Sequence, residues 1–265
     1  MKIFRFRDEQ GEIRLGAIDS GGRAREVVET AVGCFKLTDK QIRIGALLAP
    51  VRPSAIICIG LNYQAHARET GLPTPDYPVM FMKNPAAVIG PGEAIVIPGS
   101  CKQKPQVDFE AELAVVIGKA AKNVPVSAAL DYVKGYTVAN DVSARIWQKH
   151  AGAGQWVRGK SFDTFCPLGP VLATPDEIPD PNDLALSCVL NGETMQESHT
   201  SDMIFSVSRL IEYLCEDTTL LPDTVILTGT PSGVGFMRKP PVYLKSGDRL
   251  ALSIEKIGAL ENPVA

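Results

Sequence analysis

Three acidic residues at every second position constrain this chain more than any other feature. They are Asp108, Glu110 and Glu112, in the run VDFEAELAVVIGK at residues 107–119. Alternate side chains of an extended strand point to opposite faces, so this run predicts one strand that carries three carboxylates on one face. The apolar residues that follow indicate a strand buried on both faces. Carboxylates packed this closely repel, and a hard divalent cation such as Mg²⁺ or Mn²⁺ would offset the repulsion. The alternative is the solvated face of an amphipathic strand.

The composition predicts a globular protein with a substantial core. The chain has 265 residues, of which 45% are hydrophobic and 22% charged, which fits one large domain or one domain with a small appendage. A net charge of -3 gives no electrostatic reason to bind nucleic acid. No apolar run approaches the roughly 20 residues that cross a membrane. Residues 1–20 lack the apolar core of a signal peptide, so we expect a cytoplasmic protein without membrane contact.

Cysteine usage agrees with a reducing compartment. None of the six cysteines belongs to a CxxC pair, and several lie inside apolar runs. Reduced, buried thiols are therefore the expectation. A cysteine nucleophile is the alternative, although no histidine lies in an obvious partner motif.

The pattern of elements predicts a mixed α+β, β-rich fold. Residues 1–52 predict a small N-terminal α+β domain, with strands at 1–7 and 13–18 and a short helix at 26–35, and residues 53–265 form the main domain. Without regular βα alternation, the main domain is neither a Rossmann sheet nor a TIM barrel. A helix with its N-cap at Thr200 or Ser201 is predicted over residues 201–214, and Asn191-Gly192 predicts a hairpin. Other strands are predicted at 55–61, 78–83, 94–98, 133–142, 184–190, 224–227 and, as the last, 249–254.

A histidine and a glutamate three residues apart form a candidate general base. A helical turn would place His66 and Glu69 on one side, where the carboxylate would fix the histidine tautomer and stabilise the imidazolium. The alternative is an exposed surface pair. The loop at residues 70–78, rich in glycine and proline, is typical of a mobile lid.

Further candidates follow other predicted strands. Asp141, near the end of the strand at 133–142, is well placed to complete an oxygen site, and a helical turn after it would bring Arg145 and Gln148 to the same cavity. Lys160 would be held charged beside three carboxylates and would bind a substrate anion, whereas a lone lysine normally lies on the surface. The glycine loop GTPSGVG at residues 229–235 offers backbone amides and the Thr230 hydroxyl to a carboxylate. Its alternative is a plain tight turn.

Six motifs in fixed order resemble the fumarylacetoacetate hydrolase superfamily, across about residues 55 to 236. They are NYQAHARE, PVMFMKNPAAVIGPG, VDFEAELAVVIGK, GYTVANDVSARIWQ, RGKSFDTFCPLGP and LTGTPSGVG. The nearest members are the group named fumarylacetoacetate hydrolase domain-containing protein 2, which have a small N-terminal domain like residues 1–50. The resemblance implies a β-roll catalytic domain, a homodimer, and Mg²⁺ or Mn²⁺ at the centre, with Ca²⁺ as a further option.

The same resemblance implies a role for each candidate residue. Asp108 belongs to the motif but is not a usual ligand. The implied roles are metal ligation by Glu110, Glu112 and Asp141; water activation by His66 and Glu69; substrate and metal-water contacts by Lys160 and Gln148; carboxylate binding by Thr230; and a variable role for Arg145.

One residue departs from the family pattern. The family usually reads DVSARD, but here the last position is Ile146. The missing aspartate normally supports the site, so its loss predicts a looser Arg145 or an altered substrate preference.

The resemblance implies an enzyme acting on small 2-oxo acids through an enolate that a divalent cation stabilises. Three outcomes share that enolate: C–C bond hydrolysis of acylpyruvates, decarboxylation of oxaloacetate-like diacids, and keto–enol tautomerisation. We favour a hydrolase or decarboxylase, because both residues of the histidine–glutamate pair are present. The alternatives are a tautomerase or isomerase, a ureido-acid lyase, and an inactive metal-binding scaffold, which Ile146 keeps open.

Overall fold

The computed structural model describes residues 1–151 and 154–265. The strands are β1 Lys2–Arg7, β2 Ile13–Ile18, β3 Ala24–Ala31, β4 Cys34–Gln41, β5 Ala46–Leu48, β6 Ile56–Gly60, β7 Val79–Lys83, β8 Val88–Ile89, β9 Val107–Asp108, β10 Ala111–Ile117, β11 Val133–Asn140, β12 Ser143–Ala144, β13 Cys166–Ala173, β14 Ala185–Leu190, β15 Glu193–His199, β16 Val225–Leu227, β17 Arg249–Ile254 and β18 Gly258–Pro263. The α-helices are α1 Gln64–Thr70, α2 Arg145–Lys149, α3 Trp156–Lys160 and α4 Val207–Cys215. Shorter 3₁₀ helices span Pro85–Ala87, Gly99–Cys101, Val126–Tyr132, Thr200–Asp202 and Gly235–Met237.

Strands dominate the architecture. A 12-stranded sheet runs in the order β4-β3-β2-β1-β13-β11-β10-β16-β6-β7, with β5 paired to β1 and β8 to β13. A 4-stranded sheet has the order β15-β14-β17-β18, and β9 pairs with β12. The predicted mixed α+β, β-rich class is confirmed. No helix in the described ranges is long and apolar enough to cross a membrane.

The core centres on β10. Every residue of this strand is buried, because β11 and β16 pair with its two edges and side chains from other elements cover its faces. This confirms the prediction of a strand buried on both faces, and it places the acidic segment at the centre of the large sheet.

The acidic segment is nevertheless two strands and not one. β9 and β10 belong to different sheets, and the chain leaves the ladder at Phe109 and Glu110. Side chains take over the backbone bonding there: Asn140 Oδ1 accepts from Glu110 N at 3.0 Å, and Gln196 Oε1 accepts from Ala111 N at 2.9 Å. The prediction of one continuous strand is therefore wrong at this break.

The N-terminal region differs from its predicted helix. Residues 26–35 lie in the hairpin of β3 and β4, whose turn contains Gly33 with φ of 74°. Residues 1–52, all of them described, hold strands and no helix. The predicted helix is wrong because a short apolar pattern with a glycine turn fits a hairpin as well as a helix. β1 pairs with β13, so these strands extend the large sheet, while Ile3, Ala17 and Val27 form a small core of their own. The domain boundary at 52 stays a prediction.

Three other boundaries are corrected. α4 begins after Ser206, whose side chain accepts from Arg209 N at 3.3 Å, and not after Thr200 or Ser201. Asn62 holds the backbone N–H and C=O of Phe205 in a bend that precedes the helix. Residues 94–98 form only an isolated bridge, Ile95 to Val264. β17 is not the last strand, since β18 follows; its sequence GALENP lacks an alternating pattern.

Other predicted elements agree with the structure. The hairpin at Asn191-Gly192 joins β14 to β15 and is confirmed. The sequence also predicts a loop rich in glycine and alanine at residues 151–155, part of which lies outside the described residues.

Candidate active site

Three carboxylates meet beside the centre of the large sheet. Glu110, Glu112 and Asp141 each offer an oxygen within 4.8 Å of the others, and all three side chains are buried. The antiparallel register of β10 and β11 pairs Ala111 with Asn140, which brings Glu110 next to Asp141. Asp141 N also donates to Glu110 O at 2.9 Å. The structure thus brings together the three residues that the sequence proposed as ligands.

Two buried lysines form ion pairs with this cluster. Lys160 Nζ lies 2.8 Å from Glu110 Oε2 and 2.5 Å from Asp141 Oδ2. Burial alone would lower the pKa of Lys160, but Asp141 and Glu110 raise it above the ordinary value, so the ammonium stays charged. Lys83, at the end of β7, places Nζ 2.5 Å from Asp141 Oδ1 and 3.1 Å from Val142 O. Sequence reasoning missed Lys83, although a lysine that ends an apolar strand was a visible signal.

Glu112 differs from the other two acids because no cation neutralises it. Gly229 N donates to its Oε2 at 2.7 Å, and no lysine, arginine or histidine of residues 1–151 and 154–265 lies within ion-pair distance. Burial, followed by the charges of Asp141 and Glu110, raises the pKa of Glu112 well above its usual range. Glu110 shows the opposite shift: burial raises its pKa, but Lys160 and Arg145 more than offset this and lower it.

The charge balance around the cluster leaves room for a cation. With every group ionised, four buried carboxylates face three buried cations, which leaves one excess negative charge that a proton on Glu112 or a bound cation can balance. The charged groups are Asp108, Glu110, Glu112 and Asp141 against Lys83, Arg145 and Lys160. The donor set at the centre is all carboxylate oxygen, which suits a hard divalent ion such as Mg²⁺, Mn²⁺ or Ca²⁺. The residues present therefore fit the predicted metal.

Arg145 is fixed by three side chains at the start of α2. Its Nε donates to Asp108 Oδ2 at 2.8 Å, and its Nη1 lies 2.7 Å from Glu110 Oε1 and 2.9 Å from Gln148 Oε1. None of these three partners is residue 146, and the predicted effect of Ile146, a looser Arg145 or an altered substrate preference, stays a prediction. Asp108 also accepts from the backbone N–H groups of Gly235 and Phe236, which gives it a structural role beside the cluster.

The histidine–glutamate pair lies on α1. His66 Nδ1 is 2.8 Å from Glu69 Oε2, and the other oxygen of Glu69 accepts from Gly233 N at 2.9 Å. His66 is 7% exposed, so the alternative of an exposed surface pair is wrong. The side chain of the N-cap residue Tyr63 does not cap α1. Asp202 does so from another segment, because its Oδ2 accepts a hydrogen bond from Ala65 N at 2.9 Å.

One small cavity joins most of these groups. Its volume is about 130 Å³, below the roughly 300–1,000 Å³ of pockets for drug-sized ligands, which suits a small substrate. Glu69 and Asp141 lie behind the wall and contact lining residues. The predicted site residues that line the cavity are His66, Glu110, Glu112, Arg145, Gln148, Lys160 and Thr230. Apolar parts of the wall come from Ile59, Leu61, Leu72, Phe81, Trp156 and Phe236.

Thr230 is more constrained than its sequence motif indicated. Its hydroxyl donates to Ala111 O at 3.0 Å and accepts from Gln196 Nε2 at 2.8 Å. To donate its hydroxyl proton to a substrate carboxylate, Thr230 would have to give up its hydrogen bond to Ala111 O. Gln196 was missed by sequence reasoning, because nothing in β15 distinguishes this buried amide from a surface one.

The cysteines are all free: five are buried and Cys34 is exposed. Burial raises the pKa of the Cys58 and Cys166 thiols near the carboxylate cluster. Their thiolates are disfavoured, which argues against the cysteine-nucleophile alternative.

The β-rich fold, the buried acidic cluster and the helix-borne His66–Glu69 pair define an enzyme of the fumarylacetoacetate hydrolase superfamily. Residues 55–265 match the fumarylacetoacetate (FAA) hydrolase C-terminal family, and the chain belongs to that family. It is 50% identical over 220 residues to oxaloacetate tautomerase fahd2, mitochondrial, of Xenopus laevis, covering 83% of this chain and 68% of the relative. It is 47% identical over 218 residues to human oxaloacetate tautomerase FAHD2A, mitochondrial, covering 82% and 68%.

A solved structure agrees over the whole chain. The 5-carboxymethyl-2-hydroxymuconate delta-isomerase of Mycobacterium smegmatis superposes with a TM-score of 0.86 at 38% identity, covering 100% of this chain and 99% of that one. The two relatives above are mitochondrial by name, and the cytoplasmic location of this chain stays a prediction.

Proposed function

We propose that this chain is a keto–enol tautomerase of small 2-oxo diacids such as oxaloacetate. The observation that carries the proposal is the placement of His66, backed by Glu69, in the same small cavity as Lys160 and the carboxylate cluster. Such a cavity offers a proton acceptor and an electrostatic site for an oxyanion, which are the two requirements of enolisation. The names of the two relatives, both oxaloacetate tautomerases, support the same reaction.

The His66–Glu69 pair moves the proton. Tautomerisation of oxaloacetate transfers a proton between C3 and the oxygen on C2. In the neutral imidazole, Nδ1–H donates to Glu69, which leaves Nε2 as the acceptor for a proton from C3. Glu69 then stabilises the imidazolium until Nε2 delivers the proton to the oxygen on C2, which completes the enol.

Charged groups hold the substrate. A divalent cation bound by Glu110, Glu112 and Asp141 would act as a Lewis acid that stabilises negative charge on the substrate. Lys160, kept charged by Glu110 and Asp141, presents a positive wall to an anionic acid. The aromatic rings of Phe81, Trp156 and Phe236 line the cavity and lower the local dielectric constant, which strengthens these interactions.

C–C bond hydrolysis of an acylpyruvate is the second candidate. The His66–Glu69 pair is also suited to activate water, which is why the sequence favoured a hydrolase or decarboxylase. Hydrolysis requires the substrate and an attacking water together, whereas tautomerisation needs the substrate alone. The names of the two relatives favour tautomerisation, because both are oxaloacetate tautomerases.

The test supplies the enol form of oxaloacetate and follows its absorbance. We expect acceleration by the metal-loaded enzyme, loss with EDTA, and at least about a 10²-fold decrease in His66→Ala, in line with general-base catalysis. His199→Ala, which changes a histidine outside the cavity, is the matched control and should retain activity. Pyruvate released as fast as the enol disappears would show a decarboxylase. Cleavage of an acylpyruvate without tautomerisation would show a hydrolase.

We also propose that two copies associate. β7 lies at an edge of the large sheet and exposes Val79, Met80 and Met82, and an apolar sheet edge of this kind is typical of an interface. Light scattering of the wild type should give a dimer, and Met80→Glu with Met82→Glu should give a monomer.

A further inference from the structure

One cation at the cavity has no carboxylate partner. Lys149 lines the cavity beside Gln148 at the end of α2, and no carboxylate of the described residues lies within ion-pair distance of its Nζ. The other two lining cations are both paired: Arg145 with Asp108 and Glu110, and Lys160 with Glu110 and Asp141. The side chain of Lys149 is exposed enough to meet an incoming ligand.

The aromatic ring of Phe236 positions this ammonium. Lys149 Nζ lies 3.6 Å from the ring centroid, and Arg145 Cζ lies 4.3 Å from the same centroid. The backbone of Phe236 is fixed, because its N–H donates to Asp108 Oδ2 at 3.0 Å. Lys149 is therefore held at the cavity and is not a freely solvated surface lysine.

The ammonium of Lys149 adds unpaired positive charge to this wall of the cavity, beside the paired guanidinium of Arg145. Burial, followed by the charge of Arg145, lowers the pKa of Lys149, while Glu110 and Asp108 oppose this shift. An anion bound at Lys149 would relieve the repulsion between Lys149 and Arg145, and its hydrogen bond would be charge-assisted.

We propose that Lys149 binds the second carboxylate of a diacid substrate and so sets the preference for 2-oxo diacids over 2-oxo monoacids. This inference rests on the proposed function, since it assigns the substrate class of the same cavity. Removal of the ammonium weakens the binding of a diacid and not that of a monoacid, because a monoacid has no second carboxylate to place at Lys149.

Oxaloacetate and pyruvate form the test pair, because pyruvate lacks the C4 carboxylate. Calorimetric titration of the metal-loaded protein with each acid gives an affinity ratio that does not depend on turnover. We expect Lys149→Met to lower the oxaloacetate-to-pyruvate ratio about five- to tenfold, as for a partly solvated charge-assisted contact. Lys149→Arg should keep most of the preference, and Lys122→Met, an exposed lysine outside the cavity, should keep all of it.

The kinetic counterpart follows enol loss for oxaloacetate and C3 deuterium exchange for pyruvate. The expected change is a higher KM for oxaloacetate with little change in kcat. An unaltered affinity ratio in Lys149→Met would overturn this inference and leave the tautomerase intact. A wild type that accelerates neither reaction, but whose oxaloacetate-to-pyruvate affinity ratio falls as predicted in Lys149→Met, would overturn the proposed tautomerase and support the diacid subsite.

Discussion

Glu69 accepts two hydrogen bonds at once, from His66 Nδ1 at 2.8 Å and from the backbone N–H of Gly233 at 2.9 Å. The loop that contains Gly233 also reaches the carboxylate cluster, because Gly229 N donates to Glu112 at 2.7 Å. The glycine loop at residues 229–235 thus connects the helix that carries the histidine with the acids that fit a cation. The position of the proposed base relative to the cluster depends on this loop.

The first prediction concerns Glu69→Gln. An amide in place of the carboxylate can donate to His66 Nδ1, which inverts the tautomer and removes the acceptor at Nε2. We expect kcat for tautomerisation to fall about 10²-fold with a small change in KM. Glu197→Gln, an exposed glutamate on β15, is the control. Wild-type kcat in Glu69→Gln would contradict the assigned role.

The second prediction contrasts two neighbouring glutamates in chelator-treated protein. Glu112 has no cation partner, so Glu112→Gln removes repulsion and should stabilise by about 1 kcal/mol, or about 2–4 °C in melting temperature. Glu110→Gln leaves Lys160 and Arg145 with fewer anionic partners and should destabilise. Both variants should lose the stabilisation that Mg²⁺ or Mn²⁺ gives the wild type. Thermal melting with and without metal measures each effect. If both variants shifted the melting temperature of the metal-free protein in the same direction, the argument would be refuted.

The third prediction concerns Lys83. Lys83→Met removes one of the two cations that pair with the buried carboxylate of Asp141, the other being Lys160, and should destabilise the metal-free protein by about 1.5–3 kcal/mol. Lys134→Met makes the same change in a surface ion pair with Glu29 and Asp223 and should cost about 1 kcal/mol or less. Urea unfolding compares the two, and equal losses would show that burial of the Lys83 pair is unimportant.

The fourth prediction concerns the cap of α1. Asp202→Ala removes the acceptor for Ala65 N and should destabilise by about 1 kcal/mol, because this helix has no other side-chain cap. It should also lower kcat more than it changes KM, since His66 lies on the same short helix. Asp202→Asn keeps an acceptor oxygen and should restore both properties. If Asp202→Asn restored neither stability nor kcat, the loss in Asp202→Ala would come from the missing negative charge and not from the missing hydrogen-bond acceptor.

The fifth prediction is a pH dependence at the turn between β2 and β3. A hydrogen bond from Arg23 N, followed by one from the Arg25 side chain, lowers the pKa of Asp19 to about 2 from 3.8. Because the folded pKa is below the unfolded one, the contribution is complete above about pH 4 and is lost as the pH falls towards about 2. The stability difference between the wild type and Asp19→Asn should therefore shrink over that range. A difference independent of pH would contradict the shift.

Much of the site was predictable because its residues are close in sequence. His66 and Glu69 are three apart, and Glu110 and Glu112 are two apart, so helical or strand geometry alone brings each pair together. The buried character of β10 was legible in its unbroken apolar run. Asp141 and Lys160 were candidates from the residues themselves, but only the resemblance of ordered motifs gave them roles beside the other acids, because no local periodicity connects them.

The errors arose where distant side chains replace backbone pairing. Asn140 and Gln196 interrupt the acidic strand, and Asn62 delays the start of α4. Each contact joins residues 30 or more positions apart in the chain. The prediction of a helix at residues 26–35 was wrong for another reason, because a short apolar pattern does not distinguish a helix from a hairpin.

The sequence by itself determined the chemistry that is available: paired carboxylates, a histidine with its glutamate, and a central strand that must be buried. Tertiary structure alone decided which cation neutralises which acid. Asp141 pairs with Lys83, Glu110 with Lys160, and Asp108 with Arg145. Glu112 accepts only a hydrogen bond from a backbone N–H group. The reason is physical: in a buried site the energy of a charge depends on distances of a few ångströms between segments far apart in the chain, and no local pattern encodes them.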